Sequence, residues 1–296
     1  MKIAVTGKTG QVVTALKERG ALAGHEIVAL GRPEMDLVDP ASVQRAIEAV
    51  QPDAVVSAAA YTAVDKAESE RDLAFAVNGA GAGAVAEAAK ALGVPLVHVS
   101  TDYVFSGTLD RPYAESDAPC PTGVYGASKL AGEEAVLSTH GDNSAVLRVA
   151  WVYSPFGGNF VKTMLRLAGD RDEVGVVADQ IGNPTSALDI ADGILQVATN
   201  MVSDSYPALR GLFHMTASGE ASWADFAEAI FAASSAQGGP GAHVRRITTA
   251  DYPTPATRPA NSRLDCRRIA AAHGVTLPRW QDSLPIVIAR LQADAG

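Results

Sequence analysis

Tyr125 and Lys129 stand four residues apart in "GVYGASKLAGEEAV", the segment from Gly123 to Val136. On a helix, positions i and i+4 share a face, so a phenol and an amine would lie side by side. Free tyrosine titrates near ~10 and is a poor proton donor or acceptor at neutral pH. An adjacent ammonium favours the phenolate and lowers that value. The pair therefore suits proton transfer at a reacting oxygen. A Tyr-x-x-x-Lys also arises by chance as a solvated helix pair, so its partners must decide.

One partner lies upstream in "HVSTDYVFSG", where Thr101 closes the apolar run "PLVHVST". A hydroxyl at a strand end can hold a carbonyl oxygen beside the tyrosine as a small oxyanion site. Ser100 is the neighbouring candidate, and strand alternation lets only one of the two face the pocket.

These residues need a scaffold that brings strand ends and helix starts together. Apolar runs "KIAVTG", "EIVAL", "DAVVSAAA", "PLVHVST" and "SAVLRVAWVY" alternate with helical patterns near residues 10–22, 40–50, 71–92 and 124–138. Nearly all-apolar strands alternating with helices predict an α/β fold with a doubly wound parallel sheet covered on both faces. Beyond Val152 the rhythm weakens. Helices are expected over 160–168 and 187–200, and over "SWADFAEAIFAASS" with Ser222 as N-cap. Residues 1–150 read as a dinucleotide-binding domain, joined by part of 172–200. Residues 151–296 read mainly as a smaller substrate-binding lobe.

"VTGKTGQVV" puts Gly7 and Gly10 directly after the first strand. Gly7 permits a tight turn, and Gly10 lets the backbone approach a pyrophosphate at a helix N-terminus. Val13 occupies the position of the usual third glycine, which bears on helix–strand packing more than on phosphate binding. After the second strand comes Gly31-Arg32, with no acidic residue for a ribose 2′-hydroxyl. Arg32 either faces a 2′-phosphate or is a solvated surface arginine, and the balance leans toward NADP(H) with NAD(H) as the alternative. Asp36 and Leu37 are placed to bracket an adenine. Ala58, Ala59 and Ala60 either let a cofactor lie against the backbone or only permit tight packing.

The chain of 296 residues carries a formal net charge of −9 and no dense Lys/Arg run, which argues against nucleic-acid binding. No apolar run reaches the ~18 residues of a membrane helix. The start "MKIAVTG" reads as a strand and not as a signal peptide. Cys120 and Cys266 form no CxxC pattern, which suits a reducing compartment. A cytoplasmic protein is expected, without nucleic-acid or membrane partners.

The motifs "GKTGQV", "AAAYTAVDKAES", "STDYVFSG", "VYGASKLAGE", "AWVY", "NFVKTMLRLA", "DQIGNPTSA" and "YPTPATRPANSRL" run nearly end to end. Through them the chain resembles the extended short-chain dehydrogenase/reductase superfamily and, within it, the dTDP-4-dehydrorhamnose reductase family. The resemblance implies NAD(P)H-dependent reduction of the C4 ketone of dTDP-4-dehydro-β-L-rhamnose to dTDP-L-rhamnose, a sugar donor for cell-surface polysaccharide. It implies that Tyr125 protonates the nascent alkoxide, while Lys129 lowers its pKa and holds the ribose. Thr101 completes the catalytic set. By the same resemblance Thr101 and Asp102 contact the sugar and Trp151 packs beside it. Gly10, Gln11, Val12, Asp36, Leu37, Ala60, Tyr61 and Thr62 match the cofactor stretch, and Asn78 lines its pocket.

Two features depart from related patterns. Where some members bridge a dimer through a glutamate-held metal, Ala15 and Leu188 stand here, so no metal and only a monomer or weak homodimer are expected. Related dehydratases carry a second acid after the Thr-Asp pair, whereas Asp102 is followed by Tyr103, which argues against dehydration. The substrate's diphosphate needs cations, and Lys162, Arg166, Arg258 and Arg263 are the candidates, with Arg166 and Arg258 carried forward. The alternatives are another nucleotide-sugar 4-ketoreductase or 4-epimerase, and a non-enzymatic NADP-binding regulatory subunit. The intact Thr101, Tyr125 and Lys129 argue against the last.

Overall fold

The computed structural model describes residues 1–293. Its strands are β1 (Lys2–Thr6), β2 (Glu26–Leu30), β3 (Ala54–Ser57), β4 (Leu96–Thr101), β5 (Ser144–Val149), β6 (Val152–Tyr153), β7 (Glu173–Val177), β8 (Ile181–Gly182), β9 (Thr185–Ser186), β10 (Gly211–His214), β11 (Ala221–Ser222) and β12 (His243–Ile247). Its helices are α1 (Gln11–Leu22), α2 (Pro40–Val50), α3 (Val64–Ala67), α4 (Arg71–Phe75), α5 (Gly81–Leu92), α6 (Val124–His140), α7 (Phe160–Ala168), α8 (Ala187–Ser203), α9 (Trp223–Ala236), α10 (Arg267–His273) and α11 (Trp280–Ala293).

Six strands form one parallel sheet in the order β10-β5-β4-β3-β1-β2. Alternate side chains of each strand feed opposite cores, as the two-residue strand period requires. Ile3, Val5 and Leu147 pack with Leu16 of α1 and with Ile190 and Ile194 of α8. Ala4, Val55 and Val146 pack on the other face with Ile47 of α2, Val85 of α5 and Val136 of α6. The expected doubly wound sheet is thus present. Its strand order reverses between β1 and β3, which opens a crevice at their C-terminal ends.

The second half of the chain divides its residues between this sheet and a separate core. Helix α8 and the edge strand β10 belong to the sheet. Tyr153, Val161, Met164, Val174, Phe226, Ile230, Trp280 and Leu284 form the other cluster. There β7 pairs in parallel with β12. Helix α9 starts on the expected Ser222, in a full capping box with Asp225.

The pattern over 71–92, which predicts one helix, resolves into α4, a π-helical turn over Ala76–Ala80, and α5. The turn faces α6, where Gly132 has no room for a side chain: a Cβ there would lie 2.1 Å from the Asn78 carbonyl oxygen. Substituting Gly132→Ala must push the two helices apart. The expected cost is about 1–3 kcal/mol, read as a lower urea midpoint at unchanged m-value.

Candidate active site

The site begins where β1 ends. Gly7 has φ +101°, a conformation open to glycine, and its missing Cβ leaves room for Val13, whose Cγ2 would otherwise lie 3.1 Å away. Val13 is buried and α1 packs closely despite lacking the third glycine. Gly10 is the N-cap of α1 and offers no side-chain cap, so the first amides of the helix are left for an anion. Thr6 ties this turn to the next one: its hydroxyl accepts from the amides of Ala58 (3.0 Å) and Ala59 (2.9 Å). Ala60 and Tyr61 follow, half-buried, and Thr62 is exposed. Small residues and open amides on both sides of the β1/β3 crevice fit a dinucleotide.

Arg32 lies exposed just beyond β2. The sequence alone did not single out Lys8, which reaches the Arg32 carbonyl (3.0 Å) and pairs with Glu34. Asp36 is half-buried and Leu37 buried, packed under α5. The Gln11 side chain accepts from the Ser154 hydroxyl (2.7 Å), and Val12 packs into the sheet core.

Asn78 is buried, with its amide fully engaged. It accepts from the Tyr61 amide (2.7 Å) and donates to the Tyr61 carbonyl (3.0 Å) and the Ser128 hydroxyl (2.9 Å). It acts on the site through its neighbours: Ser128 in turn donates to the Tyr125 carbonyl (2.8 Å). The Tyr61 hydroxyl donates to Glu70 (2.6 Å).

Tyr125 and Lys129 both sit on α6, whose N-terminus Glu68 caps from a distance, accepting from the Val124 amide (2.9 Å). Thr101, at the end of β4, lies close enough to the Tyr125 phenol to ease its ionisation. Ser100 faces the opposite way and donates to Glu133, so of the two hydroxyls Thr101 is the one beside Tyr125. Tyr103 meets Tyr125 edge-on, with ring centroids 5.5 Å apart.

Tyr125 as a whole is half-buried, yet its phenol is crowded enough that burial pushes its pKa above the ordinary 10.0. The Thr101 hydroxyl pulls the other way, and the Asp102 charge adds to the rise. This reverses the expected direction. The Lys129 ammonium is not the dominant influence on the phenol; it donates to the Val99 carbonyl (2.7 Å). Burial brings Lys129 itself from 10.5 down to about 8, against the pull of Glu133.

Asp102 is buried. Its Oδ1 accepts from Thr101 (3.0 Å), and its Oδ2 has no partner among the described residues. Burial raises its carboxyl to about 6, opposed by the hydroxyls of Ser262, which is near but outside hydrogen-bond geometry, and of Thr101. Ser262, far along the chain, is a site neighbour that spacing could not reveal.

The four candidate cations separate. Arg258 donates to Asp65 (2.9 Å) and lies beside the Tyr103 phenol, which places it next to the Thr101–Tyr125 group. Arg263 is committed to Asn261 (2.8 Å), Glu220 (3.0 Å) and the Asp110 carbonyl (2.6 Å). Lys162 and Arg166 lie on α7, half-buried and exposed respectively.

Trp151 follows β5 at the same sheet edge, in a left-handed conformation with φ +47°. Its indole stacks on Trp223 with centroids 3.5 Å apart, and Phe160 tilts against Trp223. Trp223 is a second residue missed from sequence, read there only as part of an amphipathic helix. Ala15 is fully buried in α1, and Leu188 is partly buried between the two cores.

A doubly wound sheet with a glycine turn after its first strand, and a Tyr–Lys helix face against a strand-end threonine, defines a dinucleotide-dependent reductase of the short-chain type. A family model described as the RmlD substrate binding domain matches residues 1–293. The chain is 53% identical over 283 residues to the dTDP-4-dehydrorhamnose reductase of Sinorhizobium fredii, covering 96% of this chain and 95% of that one. It belongs to this RmlD family, the dTDP-4-dehydrorhamnose reductases. The reductase of Escherichia coli (strain K12) is 41% identical over 290 residues, covering 95% of each chain. The crystal structure of the Clostridium acetobutylicum reductase gives a TM-score of 0.91 at 35% identity, covering 99% of this chain and 100% of that one. The reductase of Bacillus anthracis in complex with NADP gives 0.89 at 34% identity, covering 97% and 98%.

The Asp102 carboxyl makes a signed prediction. An acid with a raised folded pKa holds its proton more tightly folded than unfolded, so its contribution to stability is present below about pH 4 and is lost as pH rises through about 6. Asp102→Asn removes that loss. It should be more stable than the parent by up to about 3 kcal/mol at pH 7.5, with the gap closing near pH 4, in parallel urea titrations.

Proposed function

We propose that the protein reduces the C4 ketone of dTDP-4-dehydro-β-L-rhamnose with NADPH, giving dTDP-L-rhamnose. The observation that carries this reading is the contact of Thr101 with a Tyr125 phenol that burial keeps protonated, in a chain matched over residues 1–293 by the reductase family.

When bound, the reduced nicotinamide supplies the hydride. The chain's own residues bind and orient the reactants and move the proton. The open amides at the start of α1 would hold the pyrophosphate. The Thr101 hydroxyl positions the ketone oxygen beside Tyr125. Tyr125 gives its proton to that oxygen as negative charge builds on it. Lys129, held on the Val99 carbonyl, would bond the nicotinamide ribose and stabilise the phenolate that remains. Asp102 receives a sugar hydroxyl on its unpartnered Oδ2. Trp151, backed by Trp223, forms an apolar wall beside the sugar. Arg258 and Arg166 are assigned to the diphosphate.

Preference for NADP(H) over NAD(H) is supported by Arg32 and Lys8 beyond the first two strands, where the Glu34 carboxylate pairs with Lys8. No helix among the described residues is long and apolar enough to cross a membrane. We place the protein in the cytoplasm, where nucleotide sugars and reduced cofactor meet, as a monomer or weak homodimer. We divide the chain into a cofactor domain of 1–150 with part of 172–200, and a substrate lobe mainly of 151–296, with β10 and α10 returning to the first.

Mixing the protein with NADPH and dTDP-4-dehydrorhamnose tests the reading. Oxidation of NADPH with formation of dTDP-L-rhamnose is expected, and no turnover would refute it. Tyr125→Phe should lower kcat by ~10²–10⁴ with NADPH affinity little changed, and near-normal turnover would remove Tyr125 from the proton step. Arg32→Ala should raise the KM for NADPH roughly tenfold while leaving that for NADH nearly unchanged.

A further inference from the structure

Beneath the site lies a buried ionic cluster that the proposed reaction does not use. Glu133 is one helical turn beyond Lys129 on the same face of α6, and it is buried. Its carboxylate accepts two hydrogen bonds from Arg148 of β5, at 2.9 Å from Nε and 2.6 Å from Nη2, and a third from the Ser100 hydroxyl of β4. Arg148 is itself buried, lies 4.8 Å over the Phe105 ring, and approaches His214 of β10 at 3.5 Å. A bidentate pair in this setting fixes the carboxylate rigidly between strand and helix.

We propose that Glu133 is a positioning residue for the reductase site, its carboxylate, clamped by Arg148 and Ser100, keeping the Lys129 ammonium charged and seated on the Val99 carbonyl.

The groups around Lys129 leave Glu133 as its anion. From β4, His98 faces it with a neutral ring: burial and the Lys129 charge hold the imidazole well below its ordinary value, and both ring nitrogens are unpartnered among the described residues. From β5, Arg148 is positive and spent on Glu133. From the turn after β4, Tyr103 is protonated, its pKa pushed by burial up to about 12, and Asp102 bonds Thr101. Along α6, Tyr125 is protonated. From the 61–75 segment, Glu68 caps Val124 and Glu70 binds Tyr61. From α5, Lys90 reaches only the far end of α6, at the Thr139 carbonyl. Glu133 opposes the effect of burial on Lys129. A buried amine without a counter-charge tends to lose its proton, and a neutral lysine holds neither phenolate nor ribose as well.

The inference rests on the reductase reading for its consequence, but its physical content is measurable without substrate. In ¹³C-lysine-labelled protein, the Lys129 resonance, identified by its loss in Lys129→Met, gives the ammonium pKa directly. Glu133→Gln should lower that pKa by about one unit, and the alkaline limb of the kcat/KM profile should move to lower pH by the same amount. Glu133→Asp should restore most of both. Because Glu133→Gln strands a buried Arg148 charge and can fail to fold, Glu133→Gln/Arg148→Met carries the same test without that charge. A folded variant of either kind with an unmoved Lys129 pKa and alkaline limb would overturn the proposal. A shifted Lys129 in a protein whose parent shows no reductase activity would support the positioning role and refute the functional reading.

Discussion

Helix α6 approaches its neighbours backbone to backbone, and the whole site depends on that distance. A Cβ at Gly126 would lie 2.1 Å from the Tyr103 carbonyl oxygen, and one at Gly132 would lie 2.1 Å from that of Asn78. Ser128 and Lys129 sit between these two bare positions, and Tyr125 directly precedes the first. Because the helix can come this close, the phenol reaches Thr101 and the amine reaches the Val99 carbonyl. A helix held even one methyl further out would leave both side chains short of the strand end. The elements that α6 touches are shaped to receive it. Thr101 accepts from the Tyr103 amide (3.2 Å), which curls the chain after β4 into a short 3₁₀ turn under Gly126. The π turn presents Asn78 to Ser128 from the other side. Wide turns of this kind recur where a helix must aim a side chain.

Burial at that contact decides the electrostatics. The i, i+4 spacing of phenol and amine suggests a phenol made acidic by its neighbour, but an ammonium on the same helix face can spend its charge elsewhere. Lys129 bonds a strand carbonyl, and the low polarity around the phenol favours its neutral form. For reduction this is the useful state, since a proton must be on the oxygen before it can be given to an alkoxide. The driving force then comes from the substrate, whose developing alkoxide is far more basic than a phenolate. In the proposed mechanism the amine would matter most after transfer, when a phenolate exists to be stabilised.

The sheet was legible because its strands are nearly pure apolar runs, and no other element buries both faces over four to six residues. That Tyr125, Lys129 and Thr101 come together was legible because their spacing is local: one helical turn, or one strand end. What sequence hid is what depends on distant chain. Ser262 comes from a loop after residue 250, Asp65 from a short helix and Glu68 from its end, and Trp223 from a helix whose amphipathic pattern explains it as core; Arg258 was a candidate, but its place beside Tyr103 and Asp65 was not legible. β10 is only four residues long and carries no alternation, so nothing marked it as the sixth strand. Val13 shows the converse, a local departure without structural consequence. The glycine that would ease packing is replaced, and the absent Cβ of Gly7 takes its place.

Trp151 joins the sheet to the second core. Its backbone sits in a region that costs a non-glycine residue of order 1–3 kcal/mol, and it persists only if its surroundings over-determine it. Three contacts do so. Gly182 presses so closely that a Cβ there would lie 2.4 Å from the indole, Trp223 stacks on it almost parallel, at 5°, and its carbonyl accepts from the Thr185 amide (3.1 Å). Gly182 belongs to β8, Thr185 to β9 and Trp223 to α9, whereas Trp151 itself directly follows sheet strand β5. The strain is therefore held by the second core and expressed at the edge of the first. It turns one large apolar ring at the strand end that carries Thr101's neighbour, Val149. A ring fixed this way gives a rigid wall with little entropy left to lose, and in the proposed reaction it would orient the sugar before the proton at Tyr125 is needed.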